Sequence, residues 1–288
     1  MKKIAVLTDF SERAYHAAEY ALLLAARLQA NVLLYNSFLV PSAEPLAGQI
    51  VWPMEDYDEI KNGCEADLEK LKARLEGKLA DQTNGFRPKI ECRAHDAQFD
   101  LTADEFLRDR DLLLFVLGNH QKGFSGLILG NHTREVLNRS ALPVLVVPEK
   151  AVFEPLHKIA FATDLGQSDL QVVQSLTGLA RPFNAEILLT HLCESTPENS
   201  RAVQDFLHEV TNKVNYPHIY YRHLEEKHLR EGLHHMAETV KADLVVMVHR
   251  HKDFLERLFS RSHSLDLAEH TELPLLIFPS PAKFFPVI

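Results

Sequence analysis

Ten short apolar runs punctuate the chain, near 3–8, 31–37, 88–95, 112–118, 143–147, 157–163, 185–191, 217–224, 243–248 and 274–278. Several are apolar throughout, such as LLLFVLG at 112–118 and LVVMV at 244–248, instead of alternating with polar residues. Continuous apolar runs of this length predict strands buried on both faces, as in a parallel sheet covered by helices. The spacing between them predicts helices over 12–28, 57–80, 99–109 and 131–140, then over 167–181, 198–214, 228–241 and 262–271. Ser11 is placed to cap the first helix, with Glu12 in its opening turn. Within 65–78, Leu68, Leu71 and Leu75 recur at helical spacing with charges between them, which is an amphipathic surface helix. Strand and helix alternate twice in the order βαβαβαβαβ, predicting an α/β fold of two five-stranded, parallel-rich sheets.

The pattern is an internal duplication. KIAVLTD at 3–9 returns as KIAFATD at 158–164. The offset of 155 then holds without a gap, so that Leu24–Ala25 matches Leu179–Ala180 and Leu33–Leu34 matches Leu188–Leu189. Two domains follow, 1–150 and 151–288, with 149–156 as linker. The segment 38–56, with Pro41, Pro45, Gly48, Trp52 and Pro53, has no counterpart of equal length in the second copy. It reads as an irregular excursion that covers the seam between domains, with a flap over a cleft as the functional alternative.

The two copies differ where the fourth strand ends. In the first, the run 112–118 ends in Gly118, a loop carries Gly123, Gly126 and Gly130, and a helix opens near Asn131. In the second, HRHK at 249–252 and Arg261 stand in the equivalent loop, and the glycines are gone. Both copies close on Leu-Pro, an apolar strand and a final proline: Leu142–Pro143 to Pro148, and Leu273–Pro274 to Pro279.

The combination of Thr8–Asp9–Phe10–Ser11 and Thr163–Asp164–Leu165–Gly166 with these two closing segments resembles the universal stress protein family in its tandem two-domain form. The resemblance implies adenine-nucleotide-hydrolase-like (flavodoxin- or Rossmann-like) domains paired through their fifth strands, here Val144–Val147 and Leu275–Phe278, as a pseudo-two-fold dimer within one chain. Pairing these edges would hide two strands that otherwise invite aggregation. The family's ATP binders resemble one another in a loop Gly-x-x-Gly, nine residues, then Gly-Ser or Gly-Thr. Glycines let backbone approach phosphate, and a helix N-terminus supplies amide donors.

Measured against that loop, the first copy keeps Gly118 and Gly130, has Gln121 for the middle glycine and Asn131 for the hydroxyl residue, and is one residue short. In the second, Val248, His251 and Arg261 replace all three glycines, and only Ser262 matches. The resemblance therefore puts an adenine nucleotide such as ATP, if one binds, in the first domain against Asp9, Gly118, Gly130 and Asn131, and none in the second. Asp9 and Asp164 persist in both copies, so hydrogen bonding to turn amides explains them as well as adenine and ribose contacts do.

Composition narrows the classes. A net charge of −9 argues against a general nucleic-acid surface. No apolar run approaches a bilayer span, and the opening MKKIAVLTDF reads as a first strand. Three distant cysteines, Cys64, Cys92 and Cys193, suit a reducing cytoplasm, with Cys92 packed instead of reactive. Of the 16 histidines, 12 fall from His157 onward, several at strand ends: His191, His223, His249 and His251. Their spacing matches no ligand motif, and no metal site is expected. No nucleophile elbow or HExxH is present. The expected function is a cytoplasmic stress-response protein that acts by binding, not as an enzyme. An ATP-binding regulatory module in the first domain is the second reading. A metal-dependent hydrolase in the histidine-rich half is the third. The expected contacts are the internal domain pairing and protein partners, with a homodimer left open and neither nucleic acid nor membrane involved.

Overall fold

The computed structural model describes residues 1–38, 54–80, 85–95, 106, 109–118, 136–137, 140–192, 200–224, 239–249 and 273–279. The strands are β1 (Lys3–Leu7), β2 (Asn31–Ser37), β3 (Ile90–His95), β4 (Leu112–Gly118), β5 (Val144–Val147), β6 (Lys158–Thr163), β7 (Glu186–Leu192), β8 (Ile219–Leu224), β9 (Leu244–His249) and β10 (Leu275–Pro279). Four helices are described along their length: α1 (Glu12–Leu28), α2 (Met54–Ala80), α3 (Gln167–Ala180) and α4 (Arg201–Lys213). A short 3-10 turn, Arg181–Phe183, extends α3. Helix α2 starts inside the stretch expected to be irregular, at Met54; the rest of that excursion beyond Phe38 lies outside the described residues. The helices expected at 99–109, 131–140, 228–241 and 262–271 also lie largely outside them, although Phe106, Val136 and Leu137 are helical and buried.

The strands form one sheet in the order β3-β2-β1-β4-β5-β10-β9-β6-β7-β8. Each half is parallel and ordered 3-2-1-4-5, the Rossmann order without its sixth strand; the flavodoxin order, 2-1-3-4-5, is not adopted. The halves meet where β5 and β10 run antiparallel, with Leu145 opposite Leu276 and Val146 opposite Leu275. Side chains of each strand alternate between two apolar layers. Ile4, Val6, Leu145 and Leu276 join the layer packed by α1, α2, α3 and α4. Ala5, Leu7, Val144, Val146, Leu275 and Ile277 join the opposite layer with Phe106, Val136 and Leu137. Both layers contain residues from the two halves, so the core continues across the seam.

The linker is tied to both halves. His16 of α1 hydrogen-bonds through Nε2 with the Ala151 carbonyl at 2.7 Å. Phe153 lies edge-on to Tyr20 of α1, centroids 5.0 Å apart, and tilted against Phe183 of the second half at 6.4 Å. The Asp243 carboxylate accepts hydrogen bonds from the amides of His157 and Lys158, both at 2.7 Å, and so fixes the entry to β6.

Leu276 is 1% exposed at the centre of the seam. Leu276→Ala is expected to cost about 2–5 kcal/mol, because a buried leucine leaves a cavity that its neighbours only partly fill. Urea unfolding followed by circular dichroism measures this, with the midpoint expected to fall.

Candidate functional site

In each half the chain leaves the first strand in one direction across the sheet and the fourth in the other. That reversal opens a crevice beyond the carboxyl ends of β1 and β4, where open α/β sheets take ligands. Asp9 follows β1 and Gly118 ends β4, and these two strands are neighbours, with Val6 opposite Val116. The fold therefore brings together two of the four residues expected at a nucleotide site. Gly130 and Asn131 lie outside the described residues.

Both placed residues already have structural work. The Asp9 carboxylate accepts from the Ser11 amide at 3.0 Å and from the Ser11 hydroxyl at 2.5 Å. Ser11 in turn accepts from the Ala14 amide at 3.2 Å and caps α1. Burial alone would raise the Asp9 pKa, but hydrogen bonds from Ser11 and the charge of Arg13 outweigh it and hold the carboxyl below its ordinary value. At Gly118, a Cβ would stand 2.7 Å from the Arg13 carbonyl oxygen and 2.9 Å from its carbon. The glycine lets the first turn of α1 lie directly on β4, a packing reason that the loop pattern alone does not reveal.

The second half solves the same turn differently. Val248 occupies the position of Gly118, and α3 makes no close approach to β9 comparable to that of α1 on β4. Gly166 replaces the capping serine. Its amide donates instead to Asp169, three residues into the helix, at 3.3 Å. Asp169 is fully buried and also accepts from the Thr163 hydroxyl at 2.5 Å. In both copies the residue after the aspartate is left-handed, Phe10 at φ 62 and Leu165 at φ 64. Its amide donates to the preceding threonine hydroxyl, Thr8 or Thr163, at 3.0 Å. Threonine thus supports a backbone conformation that non-glycine residues seldom adopt.

The sequence pattern includes Thr8 and Thr163 without announcing this role, and Asp169 was missed, although Gly-x-x-Asp after a strand is a legible cap signal. Sequence reading also missed Arg13, whose Nε is buried without a hydrogen-bond partner beside Asp9, and Asn36, which donates to the Thr8 carbonyl at 2.8 Å. Of the strand-end histidines, His191 and His223 meet across β7 and β8. His249 ends β9, while His251 and Cys193 lie outside the described residues. Among the described residues no three His, Cys, Asp or Glu side chains are grouped to hold a metal, so the hydrolase reading gains no three-ligand centre from them. Cys92 is half-buried; burial, then the Glu69 charge, pushes its thiol up to about 11, which keeps it unreactive.

A cleft of about 660 Å³ lies between α1, α2 and Glu149. Its walls are paired with one another: Arg74 binds Glu12 at 2.9 and 3.1 Å and covers the Tyr15 ring at 3.3 Å, while Lys78 meets Glu19 at 2.9 Å. Exposed pairs of this kind contribute little, and they leave the cleft as a laced helix interface.

The universal stress protein family model matches the chain twice, over residues 1–148 and 155–279. The chain belongs to that family, which supports a role in the stress response. Among solved structures it is similar to a universal stress protein from Archaeoglobus fulgidus, 14% identical over 96% of this chain and 98% of that one, with a TM-score of 0.65. It is also similar to the cytoplasmic domain of a prokaryotic cation chloride cotransporter, 10% identical over 99% and 98%, TM-score 0.50. A putative universal stress protein from Pseudomonas aeruginosa is 12% identical over 97% and 93%, TM-score 0.47. At such identities the first two likenesses, with TM-scores of 0.65 and 0.50, establish the fold alone. No curated protein sequence matches.

Two outcomes test this geometry. Gly118→Ala is expected to destabilise the chain by about 1–3 kcal/mol, the range for forcing an extra methyl into packed structure, read as a lowered melting temperature in ligand-free buffer. The second concerns His191, whose pKa is lowered first by burial and then by the neighbouring His223, against a smaller upward pull from Asp164. Unfolded chains take up this proton near 6.5 while the folded state still refuses it. Stability should therefore fall as pH drops below that value, and level off once the folded imidazole protonates. His191→Asn should make the fall shallower between pH 7.5 and 5.5 in urea titrations.

Proposed function

We propose that the chain is a cytoplasmic universal stress protein that works by binding and regulation instead of turnover. Its domains are 1–150 and 151–288, and the β5–β10 junction is their lasting interface. The first domain carries a degenerate nucleotide site around Asp9, Gly118, Gly130 and Asn131; the second is a supporting copy without one. What carries this reading is that Asp9 and Gly118 are both fully used by the turn and helix they hold. The aspartate is bonded to Ser11, and the glycine lies against the Arg13 backbone. Neither needs a ligand to account for it. In the second copy the glycine has become Val248, which is buried.

One observation favours the second reading, an ATP-binding regulatory module in the first domain. The unpaired Nε of Arg13, in the opening turn of α1, is a cationic donor beside the crevice. No described helix is long and apolar enough to cross a membrane.

Isothermal titration of the purified chain with ATP and with AMP separates the two. The binding-scaffold reading expects no submillimolar affinity for either. Submillimolar ATP binding that Gly130→Arg abolishes, with folding intact by circular dichroism, would replace it with the module. Gly118→Val is unsuitable for this purpose, because its side chain would strike α1 whether or not a nucleotide binds.

A further inference from the structure

The carboxyl ends of β7 and β8 set two imidazoles side by side. His191 and His223 are register partners on adjacent parallel strands, with ring centroids 5.8 Å apart and planes inclined at 58°. His191 is 7% exposed. The Nδ1 atom of His223 is buried and has no hydrogen-bond partner. Tyr221, two residues earlier on β8, brings its hydroxyl to 3.5 Å from Nδ1 of His191. The charge of Asp164, just beyond β6, acts on His191. The first half holds nothing comparable, since Asn36 and Ala94 occupy the matching register positions.

A buried imidazole beside a half-buried one whose Nδ1 is shielded from water is poorly placed on its own. The two cannot both carry a proton without repulsion, and an unpaired ring nitrogen has lost its solvent without replacement. A divalent ion between them would meet both needs. Imidazole suits zinc, copper and nickel. With Zn–N bonds of about 2.0–2.1 Å, two rings on one tetrahedral ion place their centroids roughly 5–6 Å apart. The observed separation falls in that span. The Tyr221 hydroxyl is placed to hold the ring of His191 through the nitrogen that faces it, as partners of metal-bound histidines do. The Asp164 carboxylate offsets part of the ion's charge.

We propose that His191 and His223 form a two-ligand site for a divalent transition-metal ion in the C-terminal half, with Tyr221 as a positioning residue. Because no described third His, Cys, Asp or Glu completes a set, water or an added anion fills the remaining positions. Affinity is accordingly weaker than that of a closed structural zinc site.

The test uses untagged, metal-stripped full-length chain. Titration with zinc chloride should show one ion per chain. His191→Asn and His223→Ala, which install the residues of the first half, should each weaken uptake at least tenfold, whereas His208→Ala on exposed α4 should not. Melting curves without metal confirm that the variants fold. Copper(II) bound to the unmodified chain should show magnetic-resonance coupling to two imidazole nitrogens, a readout that does not depend on any variant folding. No zinc uptake, uptake unchanged in both variants, or a copper spectrum lacking two nitrogens would overturn the site.

Discussion

The antiparallel ladder between β5 and β10 is the contact on which the molecule depends. Val144, Leu145, Val146, Leu275, Leu276 and Ile277 are each no more than 2% exposed. Burying side chains of this kind stabilises by about 1.5–3 kcal/mol each relative to exposure. The same contact removes two sheet edges that a lone half would leave open. The linker is fastened by Tyr20, Phe153 and Phe183, and Asp243 sets where the second half begins. A duplicated chain can hold such a junction at fixed stoichiometry, without relying on the concentration of a second copy.

Duplication also shows which parts of the crevice are free to vary. The first copy caps its helix from outside with Ser11; the second caps from inside with Asp169. These choices are linked to the strand behind them. A glycine at 118 admits the helix backbone, and so α1 lies close; a valine at 248 accompanies a helix that stands off. Loss of the glycine is therefore more than loss of a phosphate cradle. The copy with valine also seats its helix differently on the sheet and caps it from Asp169.

Most of the fold was legible because the strands are buried on both faces and read as unbroken apolar runs, and because the repeat marked two copies of one βα pattern; the strand order within each was not. Helix α1 was readable to its ends from Ser11 and the spacing that follows. The meeting of Asp9 and Gly118 could be anticipated from the family pattern. What was hidden was the reason for each residue. That Gly118 serves helix contact depends on a 2.7 Å distance between atoms about a hundred residues apart. That His191 and His223 touch depends on strand register, which nothing in their spacing encodes. The Thr8 and Thr163 hydroxyls act on a left-handed residue that no local composition announces.

Because β5 and β10 run in opposite directions, the strands of one half terminate at the rim where those of the other half begin. The two crevices therefore open on opposite rims of a single slab, and no small molecule can touch both. Any communication between them has to pass through the sheet or the tethered linker, and a macromolecule reading both ends would have to reach around the whole body. The tandem chain is in this sense two-headed, free to specialise each rim without disturbing the other.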